Sequence, residues 1–194
     1  VFTDKNREEL YIWNVETAEL VGTPPPDDRE TEAVEGHFAR HIWEVVFSPD
    51  GQYILSGGED NYLLMWDAET GEPVHNFEHP HWVYQVTFSA DGRTMATASF
   101  DQVMRLWDFE TREVIRAFYG HTASVYNVSL SQDGLTAITA SQDKSIRLWD
   151  LATGNEIRRF TAHADRVYDV EFLPDGTQFI TSSYDGTLRL WDMQ

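Results

Sequence analysis

Histidine, a hydroxyl residue and aspartate recur together four times along the 194-residue chain, as His37, Ser56 and Asp60, as His79, Thr97 and Asp101, as His121, Thr139 and Asp143, and as His163, Thr181 and Asp185. These are the residue types of a hydrolytic triad, in which an imidazole takes the proton of an attacking hydroxyl and a carboxylate orients the ring. The repetition argues against that chemistry. A nucleophile needs one activated, accessible hydroxyl beside an oxyanion site, and nothing calls for building it four times at equal spacing. No residue is therefore assigned a catalytic role. His75, His79 and His81 are close enough in sequence to suggest zinc ligands, but strand alternation and Pro80 disfavour their convergence, and neither a metal nor a cofactor is expected. His37 and His41, four apart, would face one another only on a helix, and no helix is indicated.

The same residues belong to a longer repeat. Tryptophan stands before an acidic or amide residue at Trp13, Trp66, Trp107, Trp149 and Trp191, and the last three intervals are 41, 42 and 42 residues by subtraction. Asp50-Gly51, Asp91-Gly92, Asp133-Gly134 and Asp175-Gly176 keep the same beat, as do the aspartates six places before each of the last four tryptophans. A period in the low forties, with short apolar runs cut by turn residues, is the pattern of radially repeated four-stranded sheets. In the third unit the spacing predicts strands over Ser124 to Leu130, Thr136 to Ser141, Ser145 to Asp150 and Glu156 to Phe160, with turns at Gln132-Asp133-Gly134, Gln142-Asp143-Lys144 and Ala152-Thr153-Gly154.

Gly36-His37, Gly120-His121 and Ala162-His163 open units that close on Trp-Asp at 66–67, 107–108, 149–150 and 191–192. In these markers the chain resembles the WD-repeat family of β-propellers over nearly its whole length. The resemblance implies an all-β propeller of four-stranded antiparallel blades, about five of them represented, the first and last incomplete. The units run 1–36, 37–78, 79–120, 121–162 and 163–194. Val1 to Trp13 aligns without gaps onto Ile54 to Trp66, so the chain is expected to begin within a blade, and the last unit stops after its third strand. The expectation is the C-terminal part of a longer propeller, its missing strands supplied by the same longer chain or by another. Residues 23–35, with three prolines and a run of acids, read as an extended surface loop.

Fourteen basic against thirty-three acidic residues give a formal charge of −19, which repels nucleic-acid phosphates and anionic lipid surfaces. No nucleic-acid or membrane partner is expected, and a protein or peptide, preferably basic, is. No run approaches the roughly 18 apolar residues of a membrane span, and no basic-then-apolar leader is present. The absence of cysteine fits a reducing compartment, and the cytoplasm is the expected location. Glycine-rich phosphate loops, metal-protease helices and dinucleotide fingerprints are missing.

The resemblance also assigns roles. In the family the histidine, hydroxyl and aspartate, joined by the tryptophan, form a buried hydrogen-bond chain. The implied braces are His37, Ser56, Asp60 and Trp66; His79, Thr97, Asp101 and Trp107; His121, Thr139, Asp143 and Trp149; and His163, Thr181, Asp185 and Trp191. An aromatic near the start of each inner strand, namely Trp43, Tyr84, Tyr126 or Tyr168, would lie on the face where family members dock ligands. Trp82, Arg166, Phe100 and Tyr184 occupy neighbouring positions of that face. The implied function is a non-catalytic scaffold binding a peptide or protein there, with a sensor or regulatory domain of a larger signalling protein as the alternative.

Overall fold

Runs of β-branched and aromatic residues, each five or six long and separated by Asp-Gly or Asp-X turns, leave the backbone little choice but paired strands. The computed structural model describes the backbone of residues 2–3, 10–13 and 20–22 and, in full, residues 41–193. Among them there is no helix, and the strands fall into two compact units, Val1–Val83 and Tyr84–Gln194.

The first unit holds a three-stranded sheet of β1 (Phe2–Thr3), β2 (Leu10–Trp13) and β3 (Leu20–Gly22). A four-stranded sheet follows, built from β4 (Ile42–Phe47), β5 (Tyr53–Gly58), β6 (Tyr62–Asp67) and β7 (Pro73–Glu78). Both are antiparallel. The division between the units falls at the first residue of β8 (Val83–Phe88), which pairs with β9 (Thr94–Ser99), β10 (Met104–Asp108) and β11 (Val114–Phe118). Next come β12 (Val125–Leu130), β13 (Thr136–Ser141), β14 (Ile146–Asp150) and β15 (Glu156–Phe160), and then a three-stranded sheet of β16 (Val167–Phe172), β17 (Gln178–Ser183) and β18 (Leu188–Asp192).

The strands of the third repeat match the sequence reading except that β12 and β14 begin one residue later, at Val125 and Ile146. The two serines that open the expected runs serve the turns instead. The Ser124 carbonyl accepts the Gln142 N–H, and the Ser145 hydroxyl donates to Asp143. The Asp-Gly signal has a matching cause. The Ser131 hydroxyl and the Leu135 N–H both donate to the Asp133 carboxylate, and Gly134 sits at φ 70°, where a side chain would strain the turn.

The middle strand β13 is buried on both faces, with a sheet packed on either side. Ala96, Ala98, Met104, Leu106 and Phe118 pack against Val125, Val128, Ala137, Trp149 and Leu151 of the following sheet. Ile138, Ala140, Ile146, Leu148 and Phe160 pack in turn against Val167, Val170, Phe172 and Phe179. On β17 and β18 the equivalent face shows Ile180, Leu188 and Leu190 at 40%, 72% and 60% exposure. Arg116 of β11 ties neighbouring sheets at their rim, donating to the Ala152 and Thr153 carbonyls, and Arg158 of β15 reaches the Met193 carbonyl in the same way.

Candidate functional site

The His121 and His163 sets each close into a continuous chain. Thr139 on β13 and Trp149 on β14 face the loop before β12, so the Trp149 Nε1–H donates to Thr139 Oγ1 at 2.9 Å while His121 Nε2 lies 2.7 Å from the same oxygen. His121 Nδ1 stands 2.8 Å from Asp143 Oδ2. The donors order themselves: a threonine oxygen that accepts from tryptophan gives its own proton to Nε2, which leaves Nδ1–H to donate to the carboxylate. Asp143 accepts further from the Thr122 and Ser145 N–H groups and the Ser145 hydroxyl. In the last sheet Trp191, Thr181, His163 and Asp185 repeat the arrangement at 2.9, 2.8 and 2.8 Å.

In the other sets the tryptophan-to-hydroxyl bond recurs. Trp107 donates to Thr97 at 3.1 Å, and Asp101 takes the Arg105 guanidinium at 2.6 Å. In the first unit Trp66 donates to Ser56 at 2.7 Å, the Tyr62 N–H donates to Asp60, and the His79 Nδ1–H donates to the Phe77 carbonyl at 3.0 Å. His37 lies outside the described residues. Among the described residues no group of three His, Cys, Asp or Glu side chains could hold a metal ion, and His75 and His81 instead lie edge-on to Phe77 and Trp82.

The histidine in the complete chain is a neutral donor rather than a base in waiting. Burial lowers the pKa of His121, opposed by its bond to Asp143. Burial alone would raise Asp143, but the bonds from His121, Ser145 and the Thr122 amide outweigh it and hold the carboxyl well below the usual carboxylate range. Sequence reasoning missed a fifth member. Arg147, two places before Trp149, is buried with Nη1 2.6 Å from Glu156 and Nη2 3.7 Å from Asp143. A Cβ on Gly120 would collide with this guanidinium, which gives the glycine of Gly120-His121 a steric cause. The recurrence of arginine at 105, 147 and 189 was the available signal.

These chains anchor the loops beside a continuous run of rings. Tyr84 lies 6.3 Å from Phe100 and 5.1 Å from Tyr126, measured between centroids. Tyr126 stacks on Tyr168 at 5.2 Å, and Tyr168 meets Tyr184 at 6.1 Å. Bulges aim the rings: β12 and β16 each shift register across Tyr126 and Tyr168, so that these residues are extra to the ladder and turn away from the core faces. At one end the Arg166 guanidinium lies 4.7 Å above the Tyr184 ring and 5.9 Å above Tyr168. Tyr168 and Tyr184 are 41% and 63% exposed.

The first unit supplies the remaining predicted residues. Trp43, at the matching bulge of β4, is 46% exposed and stacks on His41 at 5.4 Å, while His41 pairs with Glu59 at 3.2 Å. The Trp82 N–H donates to His81.

Antiparallel three- and four-stranded sheets repeated at this period, several closed by a Trp-to-hydroxyl bond, define an all-β repeat protein built of propeller blades. Residues 29–67, 71–108, 112–150 and 154–192 each match the family model described as WD domain, G-beta repeat, and the chain belongs to this family. A stretch of 75 residues, 39% of the chain, is 34% identical to human apoptotic protease-activating factor 1 and covers 6% of it. Small ribosomal subunit protein RACK1 of Caenorhabditis elegans is 30% identical over 77 residues, 40% of this chain and 23% of that protein. Nuclear distribution protein PAC1 of Arthroderma otae is 34% identical over 77 residues, 38% of this chain and 14% of that one. The matches thus span under a quarter of the length of these relatives. Repeats of this family indicate a protein–protein interaction scaffold.

Proposed function

We propose that the chain binds a protein or peptide partner on the aromatic face built from Phe100, Tyr84, Tyr126, Tyr168, Tyr184 and Arg166, without catalysing a reaction. The observation that carries this reading is the unbroken ring-to-ring run with its outer members open to water. Tyrosine supplies large contact area at small entropic cost and dominates many interface hot spots. Trp43 and Trp82 serve the same purpose in the first unit. The bonded histidines support the non-catalytic reading, because each imidazole nitrogen in the two complete chains already has a partner. The charge of −19 favours a partner that is basic overall, and the cysteine-free composition favours the cytoplasm. The exposed face of Ile180, Leu188 and Leu190 takes a further sheet, from the same longer chain or from another.

Affinity capture with wild type and Tyr126→Ala, each checked for an unchanged melting curve, tests the face. Partners retained by the wild type should be lost from the variant, and equal recovery of every partner rejects the proposal. A second reading is favoured by the small share, 6%, that the match covers of apoptotic protease-activating factor 1: the repeats act as the regulatory domain of a larger signalling protein. The full-length reading frame separates the two, since a kinase or nucleotide-binding motif beside the repeats would select the second.

A further inference from the structure

Tyr126 has two aromatic neighbours at nearly the same distance and meets them differently. Its ring centre lies 5.1 Å from that of Tyr84 and 5.2 Å from that of Tyr168, but the planes cross at 71° with the first and at 28° with the second. Tyr168 in turn meets Tyr184 at 6.1 Å and 70°, again edge to face. Within this run of four tyrosines only Tyr126 and Tyr168 stand face to face.

The pair also bridges two sheets. Tyr126 belongs to β12 and Tyr168 to β16, each at a bulge, and the Phe172 N–H of β16 donates to Ser129 Oγ of β12 at 3.3 Å. Val125, Val128, Val167 and Val170, on either side of the bulges, are buried. The backbone that carries each ring is therefore fixed, and the rings keep their relation.

A phenol that loses one electron and its proton carries spin on the ring carbons ortho to oxygen, in orbitals that project from the ring faces. A carbon–carbon bond between two such rings needs those faces opposed. At 28° they are. At 70° the edge of one ring meets the face of the other.

We infer that Tyr126 and Tyr168 are a site of oxidative coupling, where a one-electron oxidant acting once on each ring joins them as dityrosine through their ortho carbons. Each hydroxyl gives one electron to the oxidant and one proton to water. The two unpaired electrons become the new carbon–carbon bond. Each ortho carbon then releases its hydrogen as a proton while its oxygen takes one back, which restores both aromatic rings. Two electrons and two protons leave in all, so the product is lighter by two hydrogen atoms and keeps both hydroxyls. Tyr168 is 41% exposed, which lets a small dissolved oxidant reach the pair, and the chain holds no cysteine to reduce a tyrosyl radical first. No partner is required, so the coupling stands whether or not the ring face docks a protein.

Photo-excited tris(bipyridine)ruthenium with persulfate supplies the oxidant in the test, on dilute protein from which the monomer is recovered. Wild-type monomer should gain dityrosine fluorescence. A tryptic digest should contain residues 117–144 joined to 167–189 at the mass of the two peptides less two hydrogens, with fragment ions placing the link on Tyr126 and Tyr168. Tyr126→Phe and Tyr168→Phe should each abolish the joined peptides, whereas Tyr84→Phe, Tyr119→Phe and Tyr184→Phe should leave them. Urea-unfolded protein should show no preferred pair. Fragment ions that place the link on Tyr84 or Tyr184, or tyrosines consumed with no joined peptide, overturn the site. So does a joined peptide that persists in either of the first two variants. The wild-type digest decides between these outcomes even where a variant melts early.

Discussion

Asp143 is the residue on which the complete hydrogen-bond chain converges, since His121, the Thr122 amide and both polar groups of Ser145 donate to it. Asp143→Ala leaves a buried imidazole N–H without an acceptor and takes away one of the two carboxylates beside Arg147, whose bond to Glu156 remains. We expect a loss of about 2–4 kcal/mol in urea denaturation, the range for a broken buried network; a change near zero would show that the chain stabilises nothing. The same residues set a pH dependence. Burial lowers His121 below the ordinary imidazole range, so below about pH 6.5 the unfolded chain takes up a proton that the folded one refuses. Stability contributed by the neutral ring is full above that pH and declines as the pH falls. The depressed Asp143 adds a second decline at pH below about 4, where the unfolded carboxyl protonates first. Urea midpoints measured from pH 8 to 5 should therefore fall, and fall less in His121→Gln. The residue types and spacing of this chain were legible in the sequence because each recurs at the repeat period, and the bonding partners followed from the family resemblance. Arg147 was not, because arginine in a strand next to tryptophan reads as a solvated face until Glu156 and Gly120 are seen to enclose it.

Strands show the same mixture. Their positions follow from alternating β-branched residues and Asp-Gly turns, and β13 and β15 fall where the spacing put them. The bulges that aim Tyr126 and Tyr168 were written in the sequence in a form easily passed over. Val125 and Val128 are both buried, as are Val167 and Val170, yet each pair is three apart. A regular strand would turn such residues to opposite faces, so the spacing itself demands one extra residue between them. Contacts between sheets were less legible, since they join residues about 36 positions apart through backbone carbonyls. Arg116 illustrates this: its two bonds go to the Ala152 and Thr153 carbonyls, which no side-chain pattern marks. Removing it in Arg116→Ala should cost about 1 kcal/mol, because both bonds are solvent-exposed, with an unchanged spectrum of β structure by circular dichroism. Arg112 carries the opposite expectation. Its φ is 64° where two neighbouring repeats place Gly71 and Gly154, so Arg112→Gly should be neutral or raise stability by up to about 1 kcal/mol. A loss greater than that would mean the arginine side chain holds the turn.

At the scale of the molecule, charge opposes the fold that the sheets favour. A surplus of nineteen negative charges makes the compact state repel itself, and the closest ion pairs cannot relieve it at long range. Arg105 with Asp101 and Arg147 with both Asp143 and Glu156 are short-range and largely buried, hence little affected by salt. Among the described residues seven turn aspartates, Asp50, Asp67, Asp91, Asp108, Asp133, Asp150 and Asp175, are all held below the ordinary carboxylate range by hydrogen bonds from their own turns. They stay ionised through any mild acidification, so lowering the pH is a poor way to remove the repulsion and would weaken the His121 chain at the same time. Salt separates the two effects. Raising sodium chloride from 0.01 to 0.2 M at pH 8 shortens the screening length from about 30 Å to under about 10 Å, while leaving every proton in place. The melting temperature should rise over that interval and level off above it, because repulsion between turns is screened and the buried pairs are not. Sodium chloride is preferable to sulfate, which would strengthen apolar burial as well and give the same sign for another reason. A melting temperature that falls with added salt would show that attractive surface pairs outweigh the excess charge. The acidity of the chain would then contribute to the stability of the fold.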